Sequence, residues 1–276
     1  MGAVQTMSKI VNNIILFNEF QLMISKSNNK HINTICLCSP KGKGKTTVLN
    51  YFYDYCLENN ISCALIDFDA SYESFKTLEC FFDNIILDLE TSSETSIQFP
   101  NYDKEIEKMY NAQTNPEIAL EKIMIFNTTI GSVCVQQNTE NQELHFNQKI
   151  TQAFFKDLKD LKKKIVIFID HFETATEEIK NIIIKYFLKK DLLKPNIFLV
   201  VATEENIFPK SQLNKFKHIK FARLPDEYKY DDWKKFCEEI FVDETLLQPI
   251  FDSYKDDPMC MRIALKPHEG RAKNDK

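Results

Sequence analysis

The stretch SPKGKGKT at residues 39–46, from Ser39 to Thr46, decides the fold. It has the form G-x-x-x-x-G-K-[ST] of a phosphate-binding loop, except that serine stands where the first glycine is usual. A short apolar run, 35–38, precedes the loop, and the residues after it predict a helix over about 45–58. Backbone N–H groups between a buried strand and a helix N-terminus converge on an anion. The stretch therefore predicts binding of nucleotide phosphates.

Each side chain of the loop has an expected role. The glycines Gly42 and Gly44 give the backbone conformational freedom that a Cβ would obstruct. Lys45 is predicted to reach the β- and γ-phosphates, and the Thr46 hydroxyl is predicted to bind Mg²⁺. The further predicted cofactor-binding residues of the loop are Ser39, Lys41, Lys43 and Thr47. The expected cofactors are ATP and Mg²⁺, since the base-reading element N-K-x-D of GTP-binding proteins does not occur in the sequence.

A second strand brings an acid to the same site. The apolar run 165–169 ends in Asp170, which is the predicted second metal ligand. His171 follows directly, and Glu173 is the nearest candidate for the carboxylate that orients or deprotonates the attacking water. The alternative for Glu173 is a solvated residue at a helix start. For His171, a strand-end hydrogen bond or simple exposure is favoured over catalysis.

Another buried strand over 197–202 leads into Thr203. If this strand lies between the loop strand and the Asp170 strand, Thr203 is placed beside the γ-phosphate as a polar sensor. It would then form the catalytic group together with Lys45 and Glu173. The alternative is an ordinary threonine at a strand end.

Strands that alternate with helices predict an α/β fold, with a mainly parallel five-stranded sheet between helical layers and a small C-terminal helical lid. The expected domain boundaries are an N-terminal helix and linker over 1–30, a core over 31–222, a lid over 223–266 and a disordered tail over 267–276. Most of the stretch 72–160 is expected to be a helical insertion in the core.

Composition excludes several classes of function. The chain has 276 residues, a net charge of −5 and eight scattered cysteines without C-x-x-C pairs, which argues against a disulfide scaffold and a zinc site. Its apolar runs are too short to cross a membrane, and no secretory leader is recognisable, so a soluble cytoplasmic protein with no membrane partner is expected. The negative charge argues against nucleic acid as a partner.

Basic residues are strongly skewed, because lysine and arginine together number 35 and only Arg223, Arg262 and Arg271 are arginines. Codon bias from an AT-rich genome is the favoured explanation of this skew. If hydrolysis uses a guanidinium group, that group must come from the last fifth of the chain or from another protein, which favours a binding switch over a fast autonomous ATPase.

Taken together, these motifs resemble a P-loop ATPase of the additional-strand class. Within that class the chain is similar to the STAND group, signal-transduction ATPases with numerous domains, which are relatives of AAA+ ATPases. The matching segments are a T-x-A-F-x-x-D-L helix at 151–158, an hhhhD-x-F-E strand at 166–173, a Leu-Pro step at 224–225 before Trp233 and Phe236, and the start of a lid helix at 257–265.

The resemblance implies an ATP-dependent switch or assembly subunit, with Pro258 and Arg262 near the nucleotide, a homo-oligomeric state and a role in bacterial defence against phage. The chain would work with a separate sensor or effector protein. It departs from the family pattern at Ser39, at Thr203-Glu204 where an arginine is often found, and at Asp257 where the lid has glycine.

Two alternatives to a slow ATPase stay open. One is a non-hydrolysing scaffold subunit that holds nucleotide structurally. The other is a P-loop kinase of small molecules. It is less favoured because such an enzyme has an arginine-rich lid, whereas this chain has no arginine before position 223.

Overall fold

The computed structural model describes residues 14–25, 32–69, 77–114, 133–188, 196–207, 216–224, 229–239, 243–254, 261, 264–265 and 267. Its strands are β1 (Thr34–Cys38), β2 (Ser62–Asp67), β3 (Ile165–Asp170), β4 (Ile197–Thr203) and β5 (Ile219–Ala222). Its helices are α1 (Ile14–Ser25), α2 (Lys45–Glu58), α3 (Leu78–Thr91), α4 (Pro100–Thr114), α5 (Val133–Asp160), α6 (Glu177–Ile182), α7 (Tyr230–Glu239) and α8 (Glu244–Tyr254).

The strands form one parallel five-stranded sheet in the order β2-β3-β4-β1-β5. All residues of β3 and β4 are buried, as expected for central strands that are covered by helices on both faces. The α/β fold predicted from the sequence is confirmed. Because the strands are parallel, their carboxyl ends meet at one edge of the sheet, and the loop after β1 lies there.

Aromatic stacking anchors a helical layer on each face of the sheet. On one face, Phe20 of α1 stacks on Phe52 of α2 with ring centroids 4.3 Å apart. On the other face, Phe82 of α3 stacks on Phe154 of α5, also at 4.3 Å. These rings are fully buried, and burial of this kind contributes roughly 1.5–3 kcal/mol per large apolar side chain.

Helix α3 also covers the outward backbone of β2, the strand at one end of the sheet. The Asp88 carboxylate accepts a hydrogen bond from Leu65 N at 2.9 Å. One turn later, the Ser92 hydroxyl accepts from Cys63 N at 2.9 Å and donates to Cys63 O at 2.7 Å. Asp88 of α3 and its C-cap residue Ser92 thus satisfy outward backbone groups of β2, which is an edge strand among the described residues.

A buried aspartate joins α5 to the start of α4. The Asp157 carboxylate accepts from Asn101 N and Tyr102 N at 2.8 Å each, and from the side-chain amide of Asn101. These N–H groups belong to the first turn of α4 and have no partner within the helix. The aspartate of the T-x-A-F-x-x-D-L segment therefore caps a neighbouring helix.

The helices after the sheet have an apolar cluster of their own, formed by Trp233, Cys237, Leu247, Met261 and Leu265. The division into domains, including the lid over 223–266, remains a prediction. The tail over 268–276 lies outside the described residues. Among the described residues, no helix is long and apolar enough to cross a membrane.

Some element boundaries differ from the sequence-based expectation. The apolar run over about 61–68 predicts a strand, and the strand observed there spans Ser62–Asp67. The spacing of apolar residues over about 176–189 predicts one helix. The segment begins as the short helix α6 and continues as a π-helical turn over Ile183–Phe187.

Candidate functional site

The loop between β1 and α2 has the backbone that its glycines predict. Gly42 and Gly44 adopt φ angles of 81° and 87°, in the left-handed region that favours glycine. A Cβ built on Gly42 meets no atom within 4 Å, so backbone conformation, and not space, requires glycine there. Gly44 is also the N-cap of α2, which turns the first N–H groups of this helix toward the loop.

Lys45 lies inside the loop with only 6% of its surface exposed. Its ammonium group donates to Ser39 O at 2.7 Å and to Pro40 O at 3.0 Å. A buried charge needs such partners, and a lysine held across its own loop is positioned for a phosphate bound in the loop. Lys41 is exposed, whereas Lys43 and Thr47 are half-buried.

Ser39, at the place of the usual first glycine, is 1% exposed and connects neighbouring segments. Its N–H donates to Thr203 O at 3.2 Å, and its hydroxyl donates to Cys38 O at 2.8 Å. The same hydroxyl oxygen accepts a hydrogen bond from Leu224 N at 2.7 Å. Ser39 is not among the residues with positive φ, so its backbone conformation does not require glycine.

The acid predicted on the neighbouring strand lies at the same edge of the sheet. Asp170 is 2% exposed and accepts a hydrogen bond from the Thr46 hydroxyl. Burial raises the pKa of Asp170, and the hydrogen bond from Thr46 and the nearby His171 only partly oppose this effect. A hydroxyl and a carboxylate are the oxygen donors that Mg²⁺ prefers, and a cation would stabilise the buried carboxylate. The two residues therefore fit the predicted metal site.

A histidine–aspartate pair lies beside Asp170. A strand-end hydrogen bond was one of the favoured alternatives for His171, but its partner Asp67 was not anticipated. His171 Nδ1 lies 2.8 Å from Asp67 Oδ1, and His171 has a φ of 50°. Burial alone would lower the pKa of His171, but the hydrogen bond to Asp67 and the charges of Asp170 and Asp67 outweigh burial and raise it. The pairing of Asp67 with Asp170 in the parallel sheet was the available signal, because both residues end apolar strands.

Glu173 and Thr203 both meet the end of β4. The Glu173 carboxylate accepts a hydrogen bond from Glu204 N at 3.1 Å. Thr203 is 2% exposed, and its hydroxyl donates to Glu205 O at 3.1 Å. Strand β4 lies between β1 and β3, which is the arrangement on which the expected position of Thr203 depended.

The structure thus collects Ser39, Lys45, Asp170, Thr203 and Glu173, together with the rest of the loop, at the carboxyl ends of β1, β3 and β4. The roles assigned to them remain predictions. Pro258 and Arg262, the expected lid contacts, lie outside the described residues.

Arg223 is an exposed residue at the same edge of the sheet, directly after β5. Burial raises the pKa of the Cys38 thiol, and the positive charges of Arg223 and Lys45 partly offset this effect. The guanidinium group of Arg223 is therefore within electrostatic reach of the end of β1.

Comparison with solved structures shows the fold. Cdc6p from Pyrobaculum aerophilum is similar at a TM-score of 0.53 and 14% identity, over 93% of this chain and 60% of that chain. The Aeropyrum pernix ORC2 protein, in ADPNP-ADP complexes, matches at 0.45 and 13% identity, over 91% and 59% of the two chains. Domain III of the Thermotoga maritima replication initiation protein DnaA matches at 0.45 and 11%, over 94% and 84%.

The chain therefore spans only about 60% of the length of the Cdc6p chain. Identities this low show the fold alone, so the activities of these proteins are not transferred. No curated protein sequence matches the chain.

A family model described as the KAP family P-loop domain matches residues 14–235. This segment includes the phosphate-binding loop and all five strands of the sheet. The sequence-based recognition of a P-loop NTPase is confirmed. The finer assignment to the STAND group of AAA+ relatives goes beyond this match. Since the match covers well over half of the sequence, the chain belongs to the KAP family of P-loop domains.

Proposed function

We propose that the protein is a regulatory ATPase that binds ATP with Mg²⁺ and uses the nucleotide as a switch. The observation that carries this proposal is the placement of Lys45, whose buried ammonium is held by Ser39 O and Pro40 O at 2.7 and 3.0 Å. A phosphate group in the loop would replace these carbonyls as the partner of the ammonium and gain a charge-assisted hydrogen bond.

The metal would be held by the Thr46 hydroxyl and the Asp170 carboxylate, which already contact each other. A bound Mg²⁺ would neutralise phosphate charge. Glu173 is the carboxylate proposed to act on the attacking water, and Thr203 is the polar group proposed to contact the γ-phosphate. Both belong to segments that meet at the end of β4.

The proposal is tested by titrating the protein with fluorescent ATP in the presence of Mg²⁺. Replacing Lys45 with alanine removes a charge-assisted contact, so we expect the affinity to fall about tenfold or more. The matched control is Lys104→Ala, which removes an exposed lysine on α4. Equal affinity of the wild type and Lys45→Ala would refute the assignment of this site.

A non-hydrolysing scaffold is the second candidate, and the contact between Glu173 and Glu204 N favours it. A carboxylate engaged by the backbone is less available as a base than a free one. Mass spectrometry of the purified protein distinguishes the two functions. Intact ATP that stays bound and unhydrolysed over hours supports the scaffold, whereas release of ADP and phosphate supports the ATPase. A P-loop kinase of small molecules would instead consume ATP only when an acceptor is added.

We further propose that nucleotide binding controls assembly with a second copy of the chain and with a separate sensor or effector protein, in bacterial defence against phage. This part rests on the resemblance to the STAND group. Light scattering with and without ATP tests the self-assembly. Phage plating on cells that express the wild type or Lys45→Ala tests the role in defence, which is excluded if both strains are equally sensitive.

A further inference from the structure

Ser39 joins four segments through direct hydrogen bonds. Its carbonyl accepts from Lys45 Nζ at 2.7 Å, its N–H donates to Thr203 O at 3.2 Å, and its hydroxyl contacts Cys38 O at 2.8 Å and Leu224 N at 2.7 Å. We propose that Ser39 is a positioning residue that couples nucleotide binding at Lys45 to the C-terminal helices α7 and α8 through Leu224. This inference rests on the proposed function and adds the regulation of the same site.

The coupling begins at Lys45. When the ammonium group of Lys45 binds a phosphate group, it no longer donates a hydrogen bond to the carbonyl of Ser39. The peptide group between Ser39 and Pro40 then loses a buried partner and becomes free to reorient. The N–H of Ser39 stays bonded to Thr203 O, so the response is confined to the carbonyl and the side chain of Ser39.

The hydroxyl of Ser39 connects the reorientation of the loop to the end of β5 through Leu224. Leu224 follows β5 by two residues, and its N–H is held by this hydroxyl in a buried hydrogen bond. The Leu224 side chain is 2% exposed and packs in the apolar cluster of α1 and α2. Leu224 is therefore fixed to both the loop and the core, and the chain continues from it to α7, which begins at Tyr230.

Serine is what makes this path possible. Glycine at position 39 would keep the N–H and the carbonyl, and with them the contacts to Thr203 and Lys45. It would lose the hydroxyl, which provides the contact to Leu224 N. A buried N–H that loses its acceptor is costly, so the contact constrains Leu224 strongly while it exists. Serine in place of the usual loop glycine thus adds a hydrogen bond between position 39 and Leu224 N.

The test is amide hydrogen exchange of the full chain, with and without ATP and Mg²⁺, read in peptides that cover α7 and α8. The variants are Ser39→Ala and Ser39→Gly, which both remove the hydroxyl and differ in backbone freedom. The control is Ser93→Ala, which removes a loop hydroxyl that bonds to Thr95 O. ATP binding is measured separately for each protein by the fluorescent titration.

In the wild type and in Ser93→Ala, ATP is expected to change exchange in α7 and α8. Both Ser39 variants are expected to lose this change when they are measured at ATP concentrations that saturate each protein, as set by its own titration. A full ATP-dependent change in either Ser39 variant overturns the inference, and so does a wild type that binds ATP without any change in α7 and α8. Loss of ATP binding in both Ser39 variants also overturns it, because the hydroxyl would then hold the loop itself. A wild type that fails to bind ATP refutes the proposed function instead.

Discussion

The Glu173 carboxylate accepts a hydrogen bond from the backbone N–H of Glu204 at 3.1 Å, across a separation of 31 residues. Glu173 follows the acid strand β3, and Glu204 follows β4, so this contact joins the ends of two adjacent strands. The residue proposed to act on water is therefore held by the segment that follows Thr203. The Glu173 carboxylate is thereby tied to the end of β4.

Glu173→Gln is expected to lower ATP turnover about 100-fold or more, the low end of what a general base contributes, while ATP affinity stays close to that of the wild type. Glutamine keeps an oxygen that can accept from Glu204 N, so the local structure is preserved. Phosphate release measures turnover, and Glu205→Gln, at an exposed neighbouring residue, is the control. Turnover equal to the wild type in Glu173→Gln would remove Glu173 from the mechanism.

Asp170→Asn is expected to weaken the effect of Mg²⁺ on ATP affinity without lowering the stability of the protein. The pKa of Asp170 is raised by burial, so the ionised carboxylate is unfavourable in the protein without a cation. Replacing this carboxylate with a neutral amide should therefore leave the free energy of unfolding in EDTA equal to that of the wild type or higher. It should also abolish the increase in ATP affinity that Mg²⁺ produces, because the carboxylate ligand is gone. Urea unfolding and ATP titration with and without Mg²⁺ measure the two effects, and an unchanged dependence on Mg²⁺ would contradict the metal assignment.

Asp157→Ala is expected to lower the free energy of unfolding by about 2–4 kcal/mol, since it leaves N–H groups of the first turn of α4 without their buried acceptor. The lost contacts are those to Asn101 and Tyr102. Urea unfolding followed by circular dichroism measures the loss. Asp54→Ala, at an exposed position on α2, should change stability by less than about 0.5 kcal/mol. Equal stability of the two variants would contradict the capping role.

We expect the stability of the protein to depend on pH through the carboxylate of Asp88. Burial raises its pKa, although the hydrogen bond from Leu65 N opposes the shift. An acid with a raised pKa in the folded state binds its proton more tightly there than in the unfolded chain. Its contribution to stability is therefore greatest below the ordinary value of about 3.9 and declines as the pH rises through the raised pKa.

The measurement is the difference in free energy of unfolding between the wild type and Asp88→Asn, from acidic to neutral pH. Asparagine keeps an acceptor for Leu65 N and does not titrate. We expect the difference to shift in favour of the variant as the pH rises and to become constant above the raised pKa. A shift in favour of the wild type would show that the hydrogen bond, and not burial, dominates.

Local patterns were sufficient to predict the loop and the strands. The sequence of residues 39–46 predicted the turn between β1 and α2, and the apolar run before Asp170 predicted β3, because each pattern is contained in one short segment. Helix α2 was predicted with its observed bounds, Lys45–Glu58, since the loop fixes its start and the Asn59-Asn60 pair its end.

Contacts between distant segments could not be predicted in the same way. The Ser39 hydroxyl meets Leu224 across 185 residues, and His171 meets Asp67 across 104. Both contacts depend on the order of the strands, which places β5 beside β1 and β2 beside β3. A single sequence suggests which strands exist, but their order follows from packing of the whole core.

The hydrogen bonds from α3 to β2 have a consequence for self-association. An exposed edge strand offers its unpaired N–H and C=O groups to a strand of another chain. Here the outward groups of Cys63 and Leu65 are already engaged by Ser92 and Asp88. Continuation of the sheet by a second molecule at β2 would first have to break these bonds. If the protein self-associates as proposed, the subunits should therefore meet through helical faces or at the β5 end of the sheet, where they can associate and separate without breaking the hydrogen bonds at β2.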